Sequence, residues 1–262
     1  MDEEMKDLMR HALDNSEDVP ELKKPAKSER IGQCEKCCGN ITRITFEDGA
    51  TKETGCRCES IKWANDKQRR INAETFEKGS LIYGDYRKKV FDDYQAADEQ
   101  QETALKISRY YADHFDRQLE NGQNIFFQGT YGTGKTHLAA AIRQAVASQG
   151  YKVLFMSLPD YLDTLKREFK ERNLRHPISK MAKDAELLIL DDVGANRMTD
   201  FAHEELFKIV DSRRGKCTVY TTNYTSEQFK GNQELQRIFS RMMERTKVVV
   251  LNGTDYRMKG LM

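Results

Sequence analysis

At 262 residues the chain can hold one large hydrophobic core and a smaller module beside it. Its 43 basic and 42 acidic side chains nearly cancel, so a net charge of +1 selects no class of partner and any basic surface is local. No apolar run is long enough to cross a bilayer, and the acidic start Met1-Asp2-Glu3-Glu4 lacks the layout of a signal peptide, so no membrane contact and a cytoplasmic location are expected.

Residues 1–15 carry Met5, Leu8, Met9, Ala12 and Leu13 at helical spacing, which predicts a short amphipathic helix. From Asn15 to Arg30 the chain is charged and holds two of its four prolines, the composition of a linker. Five of the six cysteines then fall between Cys34 and Cys58. In a reducing compartment such a cluster points to metal rather than disulfides. Cys34 and Cys37 have the spacing of a zinc knuckle, and Gly39 suits the turn behind it. Thr42–Phe46 alternates like a strand, Asp48-Gly49 signals a hairpin, and the returning arm delivers Cys56 and Cys58. Cys34, Cys37, Cys56 and Cys58 are therefore expected to form a four-thiolate zinc site within residues 31–60. Cys38 stays open as a substitute for Cys37, and Cys-x-Cys is a less specific arm than a second Cys-x-x-Cys. So short a segment builds no adequate core, which leaves the metal to supply much of its folding energy.

Ile61–Ala73 reads as a helix with Lys62, Lys67, Arg69 and Arg70 beside Trp63. A solvated linker helix within 61–85 fits it, and so does a surface for nucleic acid or protein. Glu74–Arg87 looks irregular. A second domain, 86–262, is placed from Tyr86, with a long helix through Leu105, Ile107, Tyr110, Tyr111 and Phe115. Within it, apolar runs at Ile125–Phe127, Val153–Met156, Leu187–Leu190, Cys217–Tyr220 and Val248–Leu251 alternate with helical patterns. That alternation predicts an α/β fold, a parallel sheet wrapped by helices on both faces. Gly150 is expected to close one of these helices, and Ser157, with Pro159 behind it, to open the next.

The chemistry hangs on Gly129–Thr136, GTYGTGKT, set between a strand and a helix. This is the phosphate-loop pattern: the glycines let successive N–H groups converge on phosphate oxygens, and the following helix adds its positive end. Gly129, Tyr131, Gly132, Thr133, Gly134, Lys135, Thr136 and His137 make up the stretch expected to surround ATP. Lys135 reaches the β- and γ-phosphates, Thr136 faces magnesium, and His137 has no chemistry of its own. Asp191 and Asp192 end an apolar strand some fifty residues later. Asp191 is expected to hold magnesium through water, and Asp192 to orient or deprotonate the attacking water. Asn223, after Thr221-Thr222, can polarise that water. Positive charge for the departing phosphate has four candidates: Arg237, Arg241, Arg245 and Arg257. Cys217 reads as core, and the remaining histidines are scattered.

The run Gly129–Ile142, then Leu187–Gly194, then Ser240-Arg241-Met242 and Asp255-Tyr256-Arg257 resembles the DnaC/DnaI family of replicative helicase loaders, relatives of the initiator DnaA in the AAA+ class. The resemblance covers about residues 86–262 and extends to the cysteine region only in kind. It implies an AAA+ ATPase whose chain stops soon after Arg257, without the C-terminal lid domain. It assigns Arg241 to an arginine finger reaching a neighbour's ATP, Arg257 to a second sensor in the same subunit, and Asn223 to the first sensor. It further implies single-stranded DNA binding, a grip on a hexameric replicative helicase through the N-terminal part, and self-association into an open ring or helical filament. Asp192 stands where AAA+ proteins commonly have glutamate, and its shorter side chain, positioning water less well, suits a slow switch rather than a motor. The resemblance also implies DNA-stimulated hydrolysis and a bacterial or phage origin. An IstB-type helper of DNA transposition has a very similar core, but generally lacks a zinc module. A phosphate-loop small-molecule kinase is disfavoured by Asn223 and by the Arg241 and Arg257 pair.

Overall fold

The computed structural model describes residues 25–169, 177–195, 198–231, 233–253 and 256. The helix expected within 1–15, and Arg257, lie outside them. The chain divides into two compact units, 1–65 and 66–262.

In the first unit, β1 (Pro25–Gln33), β2 (Asn40–Phe46) and β3 (Thr51–Thr54) form an antiparallel sheet in that order. The expected Asp48-Gly49 turn joins β2 to β3: Gly49 takes φ +81°, and the Ala50 N–H donates to the Asp48 carboxylate at 2.9 Å. The linker reading through Arg30 is corrected, because β1 already begins at Pro25. Every residue of β1 is exposed, so no apolar alternation marks it; its backbone ladder to β2 holds it, with Arg30 opposite Thr42. None of the described residues from 25 to 65 is buried. This sheet has no core.

The helix α1 (Cys58–Gly79) follows, longer than the stretch read as helical and taking in residues read as irregular. Tertiary packing extends it: within the second unit Phe76 lies against the core and Glu77 pairs with the buried Arg143. No local pattern announces such partners.

The second unit continues through α2 (Glu99–Asp113), capped by the Asp98 carboxylate at 2.8 Å from the Gln101 N–H, and α3 (Phe115–Asn121). Five strands follow: β4 (Asn124–Gly129), β5 (Val153–Ser157), β6 (Leu187–Val193), β7 (Cys217–Thr222) and β8 (Thr246–Leu251). Between them run α4 (Lys135–Ser148), α5 (Leu158–Glu168), α6 (Ile178–Asp184), α7 (Asp200–Ser212), α8 (Ser226–Lys230) and α9 (Gln233–Met242). All five expected strands are present, every pair parallel, in the order β5-β6-β7-β4-β8.

Both faces of the sheet are covered. Ile125, Phe127, Ile189 and Val219 pack against Leu138 and Ile142 of α4 on one face. Phe126, Leu190 and Tyr220 pack against Leu206, Phe229 and Met242 on the other. Burial on both sides is why these strands read as continuous apolar runs. Because β7 lies between β6 and β4, the ends of three adjacent strands deliver the phosphate loop, Asp191-Asp192 and Asn223 to one edge of the sheet.

Candidate functional site

The loop leaving β4 is shaped by contacts that admit no side chain. At Gly129, φ is +148°, and a Cβ would fall 1.8 Å from the Leu251 carbonyl oxygen. At Gly134, φ is +93°, and a Cβ would fall 2.5 Å from the Tyr94 ring. Gly134 caps α4, so the loop sits on the N-terminus of a 14-residue helix, where backbone N–H groups and the helix dipole favour an anion. Lys135 is the first helical residue and is buried; its Nζ donates to the Gly129 carbonyl at 3.0 Å and the Thr130 carbonyl at 2.5 Å. A cation is thereby held inside the loop.

The loop is clamped from two sides. The Tyr94 hydroxyl donates to the Thr133 carbonyl at 3.2 Å. On the other side the Thr130 hydroxyl donates to the Gly253 carbonyl at 2.9 Å, and the Tyr256 N–H donates to the Gly132 carbonyl at 3.1 Å. Thr133 is buried, with its hydroxyl on the Thr130 carbonyl, whereas Tyr131 is 66% exposed at the loop tip. His137 leans away from the loop: its Nε2 lies 3.1 Å from the Val90 carbonyl, its ring meets Tyr94 edge-on, and burial lowers its pKa. Tyr94 and Thr130 carry weight that the sequence does not announce; the one signal is that Phe91-Asp92-Asp93-Tyr94 precedes α2.

Asp191 is buried at the carboxyl end of β6, facing α4. Its Oδ1 accepts from the Thr136 hydroxyl at 3.1 Å and the Thr221 hydroxyl at 2.5 Å. Burial, reinforced by the charge of Asp192, pushes its carboxyl up to about 6. Thr136 and Asp191 thus form a hydroxyl–carboxylate pair next to Lys135, a hard-oxygen donor set that fits magnesium. Asp192 is half-buried in the left-handed region at φ +54°, with its N–H on Thr221 Oγ1 at 2.9 Å. Asn223 is half-buried immediately after β7, which lies between β4, the strand that leads into the phosphate loop, and β6, which carries Asp191. The structure therefore brings Lys135, Thr136, Asp191, Asp192 and Asn223 to one edge.

Arg241 lies elsewhere. In the last turn of α9 it shares a pocket of about 230 Å³ with Gly122, Asn124, Arg214 and Arg245, residues at the amino edge of the sheet. Its Nε donates to Asp211 at 2.9 Å and its guanidinium stacks on Phe207 at 4.6 Å. β4 has six residues, so the two edges stand roughly 17 Å apart. Arg237 also stacks on Phe207, and Arg245 donates to the Asn121 carbonyl. None of the three reaches its own phosphate loop.

In the first unit, Cys34 and Cys37 flank the turn between β1 and β2, while Cys56 and Cys58 follow β3. Their four Sγ atoms lie within 4.8 Å of one another, Cys37 and Cys56 at 3.7 Å. Four thiolates around zinc at about 2.3 Å have sulfur–sulfur separations of about 3.8 Å, so the set fits a tetrahedral ion. The Cys34 thiol is lowered to about 6, chiefly by its hydrogen bond with Cys56, and Cys58 is pushed up to about 12 by Cys37. Cys38, at φ +55°, is exposed and outside the group. No helix among the described residues is long and apolar enough to cross a membrane.

Comparison with known proteins places these features. The family of IstB-like ATP binding proteins matches residues 85–261. The replicative helicase loader DnaC of Buchnera aphidicola is 31% identical over 160 residues, covering 58% of this chain and 62% of its own length. The putative ATP-binding protein of insertion sequence IS232 from Bacillus thuringiensis is 33% identical over 148 residues, covering 55% of this chain and 59% of its own. The chain thus spans about three fifths of the length of these curated relatives. A crystal structure of the DnaC helicase loader, 26% identical, superposes with a TM-score of 0.57 over 64% of this chain and 99% of its own.

Proposed function

The chain belongs to the family of IstB-like ATP-binding proteins, and we propose that it is an ATP-dependent loader that binds the replicative DNA helicase and delivers it onto single-stranded DNA. One observation carries the nucleotide chemistry: Thr136, Asp191 and Thr221 are hydrogen-bonded in series beside the loop that encloses Lys135. The loop Gly129–Thr136 wraps the β- and γ-phosphates, and Lys135 offsets their charge. Thr136 and Asp191 would hold magnesium, which when bound neutralises phosphoryl oxygens. Asp192 takes the proton of the attacking water, and Asn223 orients that water. Arg241 serves the nucleotide of the next subunit, since it stands at the far edge of its own. Arg257 is assigned the contact within the subunit. Head-to-tail contacts of this kind give an open ring or a helical filament. Alignment along single-stranded DNA would then speed a slow hydrolysis in the cytoplasm.

Cys34, Cys37, Cys56 and Cys58 are assigned a structural zinc ion, and the module they build is what favours a loader. Loaders of the DnaI kind carry such a module, and transposition helpers generally do not. The second reading is an ATPase helper of DNA transposition, favoured by the insertion-sequence relative. Affinity capture with the tagged full chain, in ATP and magnesium, tests the choice. A loader retains a hexameric replicative helicase. Recovery of a transposase in its place decides for the second reading.

A further inference from the structure

The backbone ladder between β6 and β7 breaks at the two acids. Leu190 pairs with Tyr220 and Val193 with Thr222, so β6 carries one residue more than its partner, and Asp191-Asp192 bulges opposite Thr221. The Thr221 side chain fills that gap. It is fully buried, and its hydroxyl donates to Asp191 Oδ1 at 2.5 Å while accepting from the Asp192 N–H at 2.9 Å. A hydroxyl has one proton and two lone pairs, so one group can do both. Among the described residues no other side chain is hydrogen-bonded to both acids. Thr222 steadies the same junction from the other face, its hydroxyl donating to the Val193 carbonyl at 2.6 Å.

We propose that Thr221 is a positioning residue for the hydrolytic step, fixing Asp192 against Asp191 at the bulge. The proposal rests on the ATPase reading above. Asp192 sits at φ +54°, a conformation that a non-glycine residue keeps only when its surroundings hold it. Its carbonyl accepts from the Ala195 N–H at 3.0 Å, and its N–H donates to Thr221 Oγ1, the bond that ties it across the bulge to β7. Asp191 has a second hydroxyl partner in Thr136 at 3.1 Å, so nucleotide and magnesium keep a placed carboxylate without Thr221. Among the described residues no other side chain is hydrogen-bonded to the Asp192 N–H. Loss of the hydroxyl should therefore fall on turnover and spare binding.

The test compares Thr221→Val, which keeps the shape and removes the hydroxyl, with Thr221→Ser, which keeps the hydroxyl. Both are made in the full chain and read by fluorescent-ATP binding and by single-turnover hydrolysis with magnesium and single-stranded DNA. Thr221→Val should bind ATP within about threefold of wild type and hydrolyse it about 30-fold more slowly, with Thr221→Ser restored to within about threefold. Equal rates in wild type and Thr221→Val overturn the proposal. An equal fall in both variants, which marks a packing role, overturns it too, as does a loss confined to affinity. Should Thr221→Val fail to fold, Thr221→Ala set against Thr221→Ser decides in the same way. Absence of hydrolysis by folded, assembled wild type overturns the ATPase reading itself, an outcome distinct from a normal wild type with an unaffected valine variant.

Discussion

The two units hold their reactive clusters by opposite means. In the first, four thiols converge although none of the described residues from 25 to 65 is buried. In the second, Asp191 ends, and the loop holding Lys135 follows, strands whose side chains are fully buried on both faces, such as Phe126, Phe127, Leu187 and Leu190. A module without a core depends on its ligand set for its fold. A site at the edge of a large core can lose a functional side chain and keep its shape.

The sharpest way to break this contrast is to remove one ligand of the proposed zinc site. Cys56→Ser should abolish ordered structure across residues 25–58, because zinc binding of about 10–16 kcal/mol is folding energy in such modules. Nucleotide affinity should change by less than about twofold, since the ATP site has its own core. Dispersion of backbone amide resonances, metal analysis and ATP titration check the three parts. Fresh, reduced protein without zinc would remove the metal assignment.

Within the core-held unit the largest effect should come from a residue at the edge of the sheet opposite its own loop. Arg241→Ala should lower DNA-stimulated hydrolysis by about a thousandfold, the scale of a lost arginine finger, with ATP binding unchanged. Asp211 is exposed and Phe207 only half-buried, so the fold should persist without these contacts. Mixing this variant with Lys135→Ala separates a contact in trans from one in cis. Lys135→Ala subunits still donate Arg241, so a mixture on single-stranded DNA should regain activity that neither variant has alone. No recovery at any ratio, with both variants folded and associating, would remove Arg241 from the neighbour's site.

What the sequence makes legible follows from which interactions are local. The five strands are readable because burial on both faces demands uninterrupted apolar runs such as Leu187–Leu190. The loop is readable because its backbone admits only glycine at Gly129 and Gly134. Asp191 and Asp192 stand out as acids at the end of such a strand. Thr221 does not, because threonine is an ordinary strand residue and its partners are fixed by a register shift some thirty positions away. Nor does β1, whose residues are all exposed and which is held chiefly by its backbone ladder. The placement of Arg241 at the amino edge is likewise a property of topology, visible only once α9 is seen to end beside Asn124 and Arg245.

A smaller but cleaner effect is expected at Lys135. Replacement by alanine removes the buried cation and its two bonds to the Gly129 and Thr130 carbonyls. Triphosphate affinity should fall about 100-fold, as expected when two charge-assisted contacts to phosphate are lost. The melting temperature should move little, because deleting a buried charge offsets the lost hydrogen bonds. Calorimetric titration with ATP and magnesium reads the first, and a thermal melt the second. A large drop in melting temperature would mean that this edge depends on its functional residues much as the cysteine module does.

The gentlest perturbation is pH, and it pulls binding and stability in opposite directions. The Asp191 carboxyl is raised to about 6 by burial and by the charge of Asp192. Only its charged form can hold magnesium, so protons compete with the ion. Magnesium-dependent ATP affinity should fall as pH drops through 6, by about tenfold at pH 5. Folding responds with the other sign. The folded carboxyl binds its proton more tightly than the unfolded one, so the folded state takes up a proton as pH falls from 7 toward 5. That uptake adds stability, on the order of 1 kcal/mol for this one group. Stability from this source is present at pH 5 and is lost as pH rises through the folded value. Asp191→Asn cannot titrate, and subtracting its pH profile from that of wild type isolates the residue from the phosphates of ATP and from every other carboxylate. The difference should show affinity falling and stability rising over the same interval. Flat difference profiles in both measurements would mean that Asp191 titrates well below 6, and that water reaches it more freely than its burial implies.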